Sequence, residues 1–112
     1  MRSYDRRMTD SSDLFDELLE EAAGAGVVAG AMFGSQAFML DGKSVGCLKG
    51  GVLAFKLGAG TPELADALTV PGAGLFDPSA HDRPFKDWVA IPLSEAAHAP
   101  RLLAAAIAHA TR

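Results

Sequence analysis

Two dipeptides, Asp41-Gly42 and Gly50-Gly51, constrain this chain more than any other feature. They interrupt a strand-like run, GSQAFML-DG-KSVGCLK-GG-VLAFKL. A two-residue type I′ turn needs positive φ at both central positions, and Asp-Gly and Gly-Gly adopt it at least cost. The run therefore reads as two successive hairpins, a three-stranded antiparallel meander over residues 36–57. Two-residue turns also set register. They place Met39 opposite Ser44 and Ala37 opposite Gly46, then Gly46 opposite Phe55 and Leu48 opposite Leu53. One face then carries Ala37, Met39, Leu48, Leu53, Phe55 and Leu57. This is the expected core face, with Gly46 making room for Phe55. The other face carries Phe38, Leu40, Val45 and Cys47, with lysines towards its margins. A face that met only water would alternate more cleanly. Phe38, Leu40, Val45, Cys47 and Lys56 are therefore the candidate interaction face, for a protein partner or for a second copy in a homodimer.

The flanking segments supply helices. In TDSSDLFDELLEEAAGAG, the residues Leu14, Phe15, Leu18, Leu19 and Ala22 recur at helical spacing. Thr9, Asp10, Ser11 or Ser12 can cap its start, and Gly24 and Gly26 stop it. VVAGAMF follows as a first strand. TPELADALTV reads as a short helix capped by Thr61, with Pro62 at its first position. LFD is a short strand, PSAHDRPF a loop between prolines, and KDWVAIP a strand that ends at Pro92. The segment SEAAHAPRLLAAAIAHATR is helical, with Pro100 in the first turn of its main part and Leu102, Leu103, Ala106, Ile107 and Ala110 on the buried side. Strands clustered between helices imply an α+β two-layer sandwich, an antiparallel sheet of five to six strands with helices on one face. One domain over residues 11–112 is expected, after a flexible N-terminus of residues 1–10.

Charge and composition exclude several function classes. Residues 10–21 hold six acids and no base, whereas residues 22–112 hold seven of each. The body is neutral, and the acids form a solvated helix face. A nucleic-acid binder acting alone needs a basic face. Here only Arg2, Arg6 and Arg7 and the lysines of the meander offer positive charge, so weak nucleic-acid binding is a minor alternative. No apolar run reaches 18 residues, so no membrane span is expected. The start has no apolar signal region, and Cys47 is the single cysteine. Both suit the cytoplasm.

No catalytic or cofactor constellation emerges. Cys47 and the histidines at 81, 98 and 109 lack metal-ligand spacing, so no metal is expected. Gly42-Lys43-Ser44 lies in a hairpin rather than between strand and helix, so it is not a phosphate loop. Cys47 sits mid-strand as a small hydrophobe. The polar stretch HDRPFKDW mixes His81, Asp82, Arg83, Lys86, Asp87 and Trp88, and its four central charges cancel. It reads as a solvated connection leading into a strand. Arg83, Lys86 and Trp88 are the candidate residues of a ligand pocket, the alternative in which the chain is a small-molecule binder or an enzyme.

Taken together, MFGSQAFMLDGKSVGCLKGGVLAFKL and the later LFDP…RPFKDWVAIP resemble the TfoX/Sxy N-terminal domain family. Met32, Phe33, Gly34, Gly42, Lys43 and Lys56 match its pattern, and the flanking helices match in placement over about residues 12–110. Gly34-Ser35-Gln36 stands where many members carry a glycine-rich segment. The resemblance implies a stand-alone member without the C-terminal domain of full-length members. It further implies a two-layer fold related to the secretion-chaperone-like and YjbR-like groups, with no catalytic residues and no cofactor. Full-length members regulate natural competence together with transcription machinery. The expectation is a non-enzymatic interaction module, a regulatory accessory protein.

Overall fold

The computed structural model describes residues 11–32, 34–78 and 84–111. Helix α1 spans Ser11–Ala22 and runs into a single 3-10 turn, Ala23–Ala25. Four strands follow: β1 Val28–Met32, β2 Ser35–Leu40, β3 Lys43–Lys49 and β4 Val52–Lys56. Helix α2 Pro62–Ala67 separates them from β5 Gly74–Phe76 and β6 Phe85–Pro92. A 3-10 segment, Leu93–His98, kinks at Glu95 and leads into helix α3, Ala99–Ala110. The expected order of elements and the α+β class both hold. The six strands form one antiparallel sheet in the order β1-β2-β3-β4-β6-β5.

Local chemistry explains the boundaries. Asp41, Gly42, Gly50 and Gly51 all have positive φ, as two type I′ turns require. Thr61 caps α2: its side chain accepts from the backbone N–H of Leu64 at 3.1 Å, with Pro62 at the first position. Pro100 sits in the first turn of α3. The residues expected to cap α1 at Thr9 and Asp10 lie outside the described residues.

Two apolar layers flank the sheet. On one face, Phe15, Leu18 and Ala22 of α1, Leu64 and Ala67 of α2, and Leu102, Leu103 and Ala106 of α3 pack on the strands. The strand side of this core is Phe38, Leu40, Val45, Leu48, Leu53, Phe55, Val89 and Ile91. Phe38 is stacked between Phe15, at 4.4 Å between ring centroids, and Phe55, at 6.5 Å. Each such burial stabilises the fold by about 1.5–3 kcal/mol. The second face carries its own cluster, in which no helix of the described residues takes part.

The meander departs from the expected register at one place. Met39 does face Ser44, but Phe38 faces Gly46 and Ala37 faces Cys47. Val45 is therefore an extra residue in β3, a β-bulge. Beyond it every pairing of β2 moves by one, and a shift of one residue exchanges the faces. Phe38 joins Gly46 and Phe55 on the helix side, and Leu40 follows by alternation. Ala37 and Met39 go to the second face. The pairing of Gly46 with Phe55 is as expected.

Candidate functional site

The bulge overturns most of the expected interaction face. Phe38, Leu40 and Val45 are buried in the main core under the helices, at 0%, 5% and 1% exposure. None of them can meet a partner in the folded chain. Cys47 does lie on the second face, but it too is buried. Lys56 is half-buried at the sheet end, with Nζ 4.0 Å from Asp87 Oδ2.

In place of that set, the second face presents a different one. Ala37, Cys47 and Ala54 form its floor, from three adjacent strands. Phe76 and Trp88 lie buried beside them, and Met32, Met39, Val52, Phe85 and Ala90 are half-buried over the same cluster. Met39 folds its side chain over Gly30. Phe76, Phe85 and Trp88 form an aromatic triad with centroid separations of 5.8–6.3 Å. The small residues on the floor let the long ones lie flat, so the face closes on itself without a helix. Composition could have signalled this: Ala37, Cys47 and Ala54 are smaller than Phe38, Leu48 and Phe55, and helices need the bulkier set to fill the space beneath them.

Of the expected ligand residues, Lys86 and Trp88 both lie on β6. Trp88 is 5% exposed and packs in the triad. Lys86 is exposed to solvent. Arg83, together with His81 and Asp82, lies outside the described residues, as do Arg2, Arg6 and Arg7 of the nucleic-acid reading and Phe33 of the family pattern. A concavity of about 380 Å³ does open beside the triad, lined by Lys49, Val52, Phe76, Asp77, Pro78 and Ala90. Trp88 takes no part in it.

The lysines of the meander are split. Lys43 and Lys56 line a cleft of about 250 Å³ with Ser44 and His109, whereas Lys49 lines the concavity beside Val52. They do not make the continuous basic stripe that a nucleic-acid backbone would follow. His109 lies against Gly58, and its Nδ1 is buried with no hydrogen-bond partner.

Chemistry at Cys47 is suppressed. Burial pushes its thiol up to about 11, with the charge of Lys49 opposing the shift. The thiolate is the nucleophile, so this residue stays protonated and inert near neutral pH. Among the described residues, no three His, Cys, Asp or Glu side chains group to hold a metal ion. No helix among them is long and apolar enough to cross a membrane.

No protein-family model, no curated protein and no solved structure matches the chain. The TfoX/Sxy resemblance therefore rests on the turn and strand motifs quoted above.

Proposed function

We propose that this chain is a non-enzymatic interaction module of the TfoX/Sxy N-terminal type, a regulatory accessory protein that binds a protein partner with the second face of its sheet. The observation that carries this reading is the apolar layer of Met32, Met39, Val52, Phe85 and Ala90, half-buried on a face where no described helix packs. Methionines suit such a surface, because their unbranched side chains adapt to an incoming shape. The buried, protonated Cys47 supports binding over covalent chemistry.

The test is capture from native lysate after nuclease treatment, with the parent chain and with Met39→Glu/Phe85→Glu as bait. A partner retained by the parent and lost by the variant, while the variant still unfolds cooperatively, is the expected result. Identical proteins on both baits would defeat the reading. The concavity at Val52, Phe76, Pro78 and Ala90 favours a second reading, a small apolar ligand with one charged group. A ligand that raises the melting temperature, and loses that effect in Val52→Glu, would select it.

A further inference from the structure

The sheet ends in two unlike edges. At one, β5 is only three residues long, Gly74–Phe76, and Asp77 and Pro78 follow it at once. At the other, β1 presents five residues, Val28–Met32, and pairs with β2 without a bulge. Proteins guard open edges with short strands, charge, proline or bulges, since an unguarded edge is a template for another strand. β5 has the short length and the flanking acid and proline. β1 has no charge, no proline and no bulge, and Val28 is 60% exposed.

The register of β1 fixes which backbone groups are open. Met32 pairs with Ser35 across a two-residue connection, so they form a hydrogen-bonded pair. By alternation, Gly30–Ala37 and Val28–Met39 do so as well. The neighbouring hairpins agree. Leu40–Lys43 and Lys49–Val52 also close two-residue turns, which commits Gln36 and Phe38 to β3 and leaves Ser35, Ala37 and Met39 for β1. Ala29 and Ala31 therefore turn both N–H and C=O away from the sheet.

We propose that β1 pairs antiparallel with β1 of a second copy, about a two-fold axis through Gly30. Within the five residues of β1, this antiparallel register gives all the outward groups of Ala29 and Ala31 partners. Ala29 faces the second copy's Ala31 and the reverse, which gives four hydrogen bonds. Val28 faces the second copy's Met32 on the second face, and the bare Gly30 lies on the axis, where each copy's Met39 covers its own Gly30. No charged side chain of either strand meets another. The interface is isologous, as a closed dimer requires, and it joins two sheets of six strands into one of twelve. It also makes the two partner-binding faces one continuous surface. In that respect it rests on the interaction-module reading, while the edge geometry stands apart from it.

The experiment is sedimentation velocity on the whole chain at physiological salt, from micromolar to near-millimolar concentration, with amide hydrogen exchange at the same concentrations. Physiological salt screens Asp16 and Glu20, which line the surface next to Val28 and Ala29. The expected result is a species of twice the 11.6 kDa chain mass, with exchange at Ala29 and Ala31 slowing as it forms. Gly30, bonded to β2, should be slow throughout. A monomer at every concentration would overturn the pairing, as would a dimer whose Ala29 and Ala31 amides still exchange freely. Ala31→Pro removes only an outward N–H, a change an edge strand accepts. It should raise the dimer dissociation constant at least tenfold, and an unchanged constant counts against the proposal. Should that variant fail to fold, the exchange pattern of the parent chain decides. A monomer that still captures its partner through Met39 and Phe85 overturns the pairing alone. A dimer protected at Ala29 and Ala31, whose Met39→Glu/Phe85→Glu form keeps every captured protein, overturns the module alone.

Discussion

The two faces of this sheet are both apolar, yet they are closed by opposite means. On the helix side, large strand residues reach up into large helix residues, and the Phe15–Phe38–Phe55 stack is typical. On the second side, the floor is Ala37, Cys47 and Ala54, and long side chains from the same sheet lie across it. The contrast separates two meanings of a buried residue. A core between layers holds the fold together. A face roofed by its own side chains keeps a surface dry while leaving it able to rearrange.

Paired truncations would break or sharpen this contrast most strongly. Phe38→Ala should destabilise the chain by about 4 kcal/mol, because stacked rings on both sides cannot collapse into the void. Trp88→Ala should cost about 3 kcal/mol, since its half-buried neighbour Phe85 can move into the gap and water can reach it. Urea unfolding of both variants measures the difference, and equal losses would mean that the second face is packed as rigidly as the first.

A smaller effect tests how dry the second face is. In the folded chain the Cys47 thiol is raised from 9.0 to about 11. A raised value means that the folded state holds its proton more tightly than the unfolded one. The corresponding stability is fully present below about pH 9 and is lost as pH climbs to about 11, a change of about 2–3 kcal/mol. Urea midpoints across that window should fall more steeply for the parent than for Cys47→Ala. Parallel slopes would show that water already reaches the thiol.

The smallest of these effects lies where the faces meet in register. A β-carbon on Gly46 would stand 2.9 Å from the carbonyl oxygen of Ala54 and 3.0–3.1 Å from the rings of Phe55 and Phe38. Gly46→Ala should cost about 2 kcal/mol by overpacking. A neutral result would show that the meander can shift to admit a methyl group.

Much of this architecture was legible in the residues. Asp41-Gly42 and Gly50-Gly51 announce the two turns because few residues tolerate positive φ, and Thr61-Pro62 announces α2 because a cap and a proline have narrow uses. The space that Gly46 leaves for Phe55 follows from counting back from Gly50-Gly51. The face of Phe38 did not follow, because it depends on Val45 being unpaired in β3. No turn residue marks a bulge, and its effect passes to every residue beyond it. The aromatic triad was hidden for a related reason. Phe76 and Phe85 meet only because β5 and β6 change register between Leu75 and Phe76, a shift set by packing and invisible in spacing. The expected interaction face inherited the first error, since Phe38, Leu40 and Val45 lie under the helices once the bulge is counted.

The strand order has a consequence for how the molecule is made. β4 lies in the middle of the sheet, between β3 and β6, and the hairpins that precede it in the chain can form as they leave the ribosome. Their helix-side residues then wait for α3, whose Leu102, Leu103 and Ala106 cover them. Until about residue 106 has been synthesised and released, the part of the helix-side face that α3 covers stands in water beside an unguarded β1. The nascent chain is thus most prone to misassociate just before α3 emerges. Slower translation of α3 should lower the yield of folded protein more than slower translation of α1.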